Sequence, residues 1–264
     1  MLRYLDIYWV MLRNSLVREM HFKANFLLWM LVELLWFTGQ IAFLEVLFQH
    51  VNQLGDWSKW EVVLLVGTHQ IIAQIFQAFF YVNLTNLPEL VRTGRLDLLL
   101  LLPVDPQFAV STRQFGLDNL LNALVGLGIV LFSLTKLGIH PSPSQIFLYT
   151  GAVALGVTIH YSILLSLNVL TFWTVRAQGL VTAYFHLLGI GRYPETVFHG
   201  TFKVIFSFLL PVLLVANVPA KALTRTFENP TVGILELAAA SALSLYASRR
   251  LWTHALRRYA SASS

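Results

Sequence analysis

Six apolar segments, at about 25–48, 61–82, 116–137, 146–172, 200–218 and 231–250, take up most of the chain. A helix that crosses a bilayer needs about 20 mostly apolar residues, and each segment is near that length. Each is apolar all round rather than striped, the pattern of a helix in lipid rather than water. Of the 264 residues, 56% are hydrophobic and 12% charged, against about 25% charged in a soluble domain. The expectation is an all-α, polytopic membrane protein with six transmembrane helices, forming a single transmembrane domain over residues 1–264. The fifth segment contains Pro211, which either kinks a crossing helix or breaks it into two half-helices that do not fully cross.

Basic residues fall unevenly between the loops. Arg3, Arg13, Arg18 and Lys23 precede the first span, Arg92, Arg95 and Arg113 follow the second, Arg176, Arg192 and Lys203 follow the fourth, and Arg249, Arg250, Arg257 and Arg258 end the chain. The opposite face receives only Lys59, Lys136, Lys221 and Arg225. The richer face is cytoplasmic by the positive-inside rule, and an even number of spans puts both termini there. Residues 1–23 carry spread charges, including Asp6 and Glu19, rather than a basic start and one apolar block, so they do not read as a signal peptide. Leu5, Trp9, Leu12, Leu16 and Met20 recur at helical spacing, with Arg3, Asp6, Arg13 and Asn14 elsewhere on the wheel and Val10 and Val17 blurring the polar side. That pattern predicts an interfacial helix; a solvated helix capping the bundle is the alternative.

Polar residues inside the spans are the candidate path. Glu33 lies in the first span, where a charge costs about 2.5–3.5 kcal/mol, whereas Glu45 is near enough to the outer end to reach water. Glu33 reads as a contact for a cationic substrate or a proton, or as half of a structural pair with a basic neighbour. Gln70, Gln74, Gln77 and Tyr81 form one stripe of the second span, with His69 beside it. Such a stripe avoids lipid; it lines a translocation path or bonds helix to helix. His160, Asn168 and Thr171 share a face of the fourth span, and His160 is expected to be hydrogen-bonded rather than chemical.

The chain has no cysteine, which excludes disulfides, thiolate metal sites and cysteine nucleophiles. It contains no Gly-x-Ser-x-Gly elbow, no His-Glu-x-x-His helix and no phosphate-binding Gly-x-x-x-x-Gly-Lys-Ser/Thr loop. If the protein uses ATP, another chain binds it. Residues 83–110 form the longest connection on the basic face. Asn86 is a candidate cap, Pro88 a first-turn residue, Glu89 complements the helix N-terminus with Arg92 one turn on, and Gly94 is a natural stop. A short exposed helix over 87–93 is expected. The leucine run 96–102 packs on the bundle, and Pro103 and Pro106 turn the chain into span three.

Gly94-Arg95-Leu96-Asp97, the following leucines and Pro103 resemble the signature loop of type-2 permeases of ATP-binding-cassette exporters. The six-span branch with the viologen and multidrug exporter subunits is the most similar. Phe172-Trp173-Thr174-Val175-Arg176, Arg192-Tyr193-Pro194 and Arg258-Tyr259-Ala260-Ser261 fit the same branch. The resemblance implies a permease that binds no cofactor itself, with ATP and magnesium held on partner ATPase subunits. It implies pairing with a second copy or a related permease, a lipid bilayer of the bacterial inner membrane and no nucleic acid. Leu87, Glu89, Leu90, Arg92, Thr93, Gly94, Arg95 and Asp97 would form the coupling segment seated on the ATPase. Arg192-Tyr193-Pro194 would lie on the cytoplasmic side before the fifth span, and residues 211–230, with Pro211, Pro219 and Pro230, would form short re-entrant elements at the outer face. A stand-alone secondary transporter and a membrane-embedded lipid-modifying enzyme are the alternatives. The first predicts inverted repeats and the second a facing acid–base, nucleophile or metal set; neither feature is found in the sequence.

Overall fold

The computed structural model describes residues 2–21, 23–174, 178–224 and 230–259. The expected segments 175–177, 225–229 and 260–264, with Arg176, Arg225, Ala260 and Ser261, lie outside the described residues, as do the side chains of Leu5, Leu16 and Met20. Helix α1 (Leu2–His21) is followed by α2 (Lys23–His50) and by a hairpin of two-residue strands, β1 (Gln53–Leu54) and β2 (Trp57–Ser58). The hairpin pairs Gln53 with Ser58 and Leu54 with Trp57, and Gly55 takes φ +65° at the first loop position, where a two-residue turn wants glycine. Ser58 then starts α3 (Lys59–Phe76), its backbone N–H donating to Glu61 Oε2 at 2.8 Å, one half of a capping box.

The chain stays helical after α3 through a π-helical turn, Gln77–Tyr81, then α4 (Val82–Thr85) and α5 (Leu87–Arg92). Helices α6 (Leu96–Leu100) and α7 (Pro106–Ser111) lead into α8 (Leu117–Leu137), which stops at Gly138 with φ +67°. Helix α9 (Pro143–Val169) begins with Pro143 in its first turn and a Ser142–Gln145 capping box. Helices α10 (Gln178–Leu188), α11 (Gly200–Val204), α12 (Val212–Thr224) and α13 (Pro230–Arg258) complete the bundle.

Among the described residues, four helices are long and apolar enough to cross a membrane: Leu27–His50, Lys59–Arg92, Leu117–Leu137 and Pro143–Phe172. These match the first four expected spans. The fifth expected span, 200–218, is not a straight crossing. Gly200–Phe208 and Val212–Thr224 meet at 81° around Pro211, so the proline breaks the helix rather than kinking it. The sixth, 231–250, lies inside the 29-residue α13, which is not among the four.

The core is built where helix backbones meet. At the crossing of α3 and α8, a Cβ added to Gly67 would sit 3.2 Å from the Gly126 carbonyl oxygen, and one on Gly126 would sit 3.0 Å from the Gly67 carbonyl oxygen. Small residues allow that approach, and close backbone packing is what holds helices together where lipid removes the hydrophobic drive. Helix α12 is buried over almost its whole length, from Val212 to Leu223, against α3 and α9. In contrast α2 is mostly exposed: Leu27, Leu28, Leu31, Leu35, Trp36 and Phe43 lie on its surface.

The bundle has two ends. The hairpin end holds residues 51–58 and the turn 138–142, tied by Trp60 packing edge-on to Phe132 with ring centres 5.6 Å apart. The other end, called the coupling end after the segment expected there, holds α5, α6 and α7, with the C-terminal part of α13 beside them through Arg249 and Asp105. Residues 178–196 run from one end to the other. Tyr184 meets His160 and Phe185 meets Tyr81. The Leu188 carbonyl accepts from His69 at 3.0 Å, and Thr196 donates to Asp56 in the hairpin at 2.7 Å. Arg192-Tyr193-Pro194 therefore lies toward the hairpin end, away from the coupling segment. This corrects the expectation of a loop on the coupling side. Arg192 is half-buried among helices, so its charge is held by packing and carries no weight as a topology signal.

Candidate functional site

Residues 87–97, the segment expected to couple, present two faces. Leu87, Leu90 and Leu96 are buried and anchor it to the bundle. Glu89, Arg92, Thr93 and Arg95 are exposed, and Asp97 is half-buried. Arg92 donates twice to Glu89, from Nε at 2.9 Å and from Nη2 at 2.7 Å, and Thr93 Oγ1 donates to the Glu89 carbonyl at 2.7 Å. Gly94 ends the helix with φ +68°, as expected for a left-handed stop. Asn86 differs from expectation. It stands at the helix start but makes no capping bond, because its helical backbone continues α4 and leaves no free N-terminal turn to cap. The leucine run only partly packs. Leu98 and Leu101, 66% and 80% exposed, extend an apolar surface beside the charged one.

Two clamps missed by sequence reasoning fix this projection. Asn83 Nδ2 donates to the Gln114 carbonyl and Asn83 Oδ1 accepts from the Gln114 backbone N–H, both at 2.8 Å. The amide thus mimics a strand partner and joins the start of the segment to its end. Asp105 accepts from the backbone N–H groups of Gln107 and Phe108 at 2.9 and 3.2 Å, capping α7. Arg249 Nη1 donates to Asp105 Oδ1 at 3.0 Å and to Gln107 Oε1 at 2.8 Å, and Gln107 Nε2 donates to Tyr161 Oη at 2.8 Å. One polar chain therefore ties α7 to α9 and α13. Helix α1 joins here through Ser15, whose Oγ accepts from the Phe115 backbone N–H at 3.3 Å. Asp6, Arg13 and Asn14 of α1 are exposed, but so are Trp9, Val10 and Val17.

The hydrogen bond from Arg249 holds the Asp105 carboxyl below the usual carboxylate range, and the backbone donors add to this against partial burial. A depressed carboxylate contributes stability above its unfolded pKa of about 4, lost as pH falls through the lower folded value. Asp105→Asn keeps a capping side chain but loses the ion pair. Thermal unfolding followed against pH is expected to show the variant below wild type at neutral pH and the two curves converging in acid.

A polar seam runs through the spans. Gln74, almost fully buried, donates to Glu33 Oε2 at 3.3 Å. Gln70 is also buried; Gln77 and Tyr81 are half-buried and lie in the π-helical turn. Tyr81 packs edge-on to Phe185 with ring centres 4.9 Å apart. The stripe thus faces protein, and Glu33 finds an amide on α3 where a basic neighbour was one expectation. Arg192 is the missed member. Its Nη1 and the Trp36 indole N–H both donate to the Gln40 amide oxygen at 2.8 Å, with the amide turned to face them, and it is close enough to feel the Glu33 charge. No regular spacing connects Arg192 to α2 and α3, so helix periodicity could not find it. His160 is hydrogen-bonded to Tyr184 at 2.8 Å, as expected. Glu45 is exposed and pairs with Lys59 at 2.7 Å. Among the described residues, no group of three or more His, Cys, Asp or Glu side chains could hold a metal ion.

A family model described as ABC-2 family transporter protein matches residues 34–263, from α2 through α13. No curated protein matches the chain.

Proposed function

The chain belongs to the ABC-2 family of transporter proteins, membrane components of transporters, and from that premise we propose that it is the permease subunit of an ATP-driven exporter. It hydrolyses nothing itself; ATP and magnesium belong to a partner ATPase. The observation that carries this reading is the projection at the coupling end. Buried Leu87 and Leu90 hold it rigidly, while Glu89, Arg92, Thr93, Arg95, Leu98 and Leu101 are exposed. That mixed charged and apolar face suits a protein groove, and the Asn83 and Asp105 clamps would pass a push on it into α3, α9 and α13.

In this reading six crossings are α2, the helix from Lys59 to Arg92, α8, α9, the run through α10 to residue 196, and α13. The bent pair around Pro211 then dips back into the hairpin end as a re-entrant element. The coupling end and both termini face the cytoplasm, in agreement with the basic residues Arg92, Arg95, Arg249, Arg250, Arg257 and Arg258, and the membrane is the bacterial inner membrane. Helix α1 lies at its interface. Two permeases, identical or related, enclose the path; the half-buried Glu33, Gln77 and Tyr81 would border it, with Gln70 and Gln74 packed behind them, and amphiphilic or drug-like cargo suits such amide and aromatic groups. The test is purification of the tagged chain from its own host, with vanadate-sensitive ATP hydrolysis assayed on the eluate. Activity that co-elutes supports the reading; a stable chain without it contradicts the reading.

A further inference from the structure

A cavity of about 310 Å³ opens between α2 and the residues just after α10. Its walls are apolar, formed by Leu35, Trp36, Phe43 and Val66, and its polar part is Gln40 and Arg192. Leu35, Trp36 and Phe43 are each more than half exposed, so the mouth opens on the apolar flank of α2 rather than at an aqueous end of the bundle. Inside it, the guanidinium is incompletely used. Nη1 reaches Gln40, but the buried Nε–H has no partner, and among the described residues no ion pair includes Arg192. Glu33 attracts it from a distance while bonded to Gln74. A half-buried cation with no carboxylate in contact is costly, and a planar guanidinium suits a phosphate or carboxylate.

We propose that this cavity binds the headgroup of an anionic membrane lipid, whose phosphate accepts from Arg192 while its acyl chains lie along the apolar face of α2. Apolar walls, a single cationic floor and a mouth toward hydrocarbon fit an amphiphile better than a soluble anion. The inference rests on the bilayer placement within the proposed function and not on the ATPase.

The full chain would be reconstituted in nanodiscs of equal phosphatidylglycerol and phosphatidylcholine, and retained lipid counted by native mass spectrometry. Wild type is expected to retain phosphatidylglycerol over phosphatidylcholine by about tenfold, equivalent to about 1.4 kcal/mol. Arg192→Gln removes the charge and is expected to abolish the preference. Gly39→Leu gives a second variant that keeps Arg192. Gly39 lines the cavity, and a Cβ there meets nothing within 4 Å, so a larger side chain starts into open space and is expected to block retention. Equal retention of both lipids by wild type, or an undiminished preference in Gly39→Leu, overturns the proposal; a second copy seated on α2 would give the former. Displacement of the lipid by inorganic phosphate would assign the site to a soluble anion and also overturn it. Loss of co-eluting ATPase with the lipid preference intact would contradict the exporter reading alone.

Discussion

Arg92→Glu with Arg95→Glu is expected to leave the chain folded in the membrane and to lower the ATP hydrolysis that co-elutes with it by at least about tenfold. Both side chains are exposed, so the bundle loses no packing. The Arg92–Glu89 pair is exposed and screened by water, too weak to decide whether the chain folds. In the proposed reading both charges lie on the face that docks the ATPase, where reversing them would bring like charges together across an interface at a cost of several kcal/mol, and each 1.4 kcal/mol is about tenfold in affinity. Leu90 is the wrong residue for this experiment. It is 5% exposed, so a charge there disrupts the anchor and confuses docking with folding. Recovery of wild-type ATPase activity with the double variant would move the docking face elsewhere.

Gly126→Leu is expected to destabilise the bundle strongly. An added Cβ lies 3.0 Å from the Gly67 carbonyl oxygen and 3.2 Å from the Ile71 backbone nitrogen, and neither can move without parting α3 from α8. Overpacking of this kind costs about 1–3 kcal/mol in a core, and the obstacle here is backbone, which places the variant at the upper end. Gly128→Leu is the control two residues along the same helix, where a Cβ meets nothing within 4 Å. Thermal unfolding in detergent is expected to separate the two sharply, with Gly128→Leu indistinguishable from wild type.

The four long apolar helices were legible because composition dictates them: an apolar segment of that length has few options but to be a helix. The stop at Gly94 and the exposed Glu89–Arg92 turn were legible for local reasons, since a left-handed terminus and a first-turn acid act within a few residues. The segment 178–196 was not read as a run between the two ends. Its regular helix is only 11 residues long, and it continues as a short 3₁₀ turn whose tight packing depends on Gly191, where a Cβ would meet the Val212 carbonyl oxygen at 3.0 Å. Arg192 misled the charge count because the positive-inside rule concerns loops, and a guanidinium among helices is a packed group. The Gln70–Gln74 stripe followed from helical period, but the partner of Gln74 is on α2, and Asn83 meets Gln114 across 31 residues. Contacts of that range have no spacing that a reader of one sequence can recognise.

In the proposed topology the coupling end and the hairpin end lie on opposite faces of the bilayer, with residues 178–196 crossing between them. The chain has no cysteine, so single cysteines at exposed Gln53, Val197, Arg95 and His254 can be labelled in intact cells with a membrane-impermeant maleimide. Gln53→Cys and Val197→Cys are expected to label directly, while Arg95→Cys and His254→Cys label only after the membrane is opened. Labelling of Val197→Cys together with Arg95→Cys, and not with Gln53→Cys, would contradict that topology.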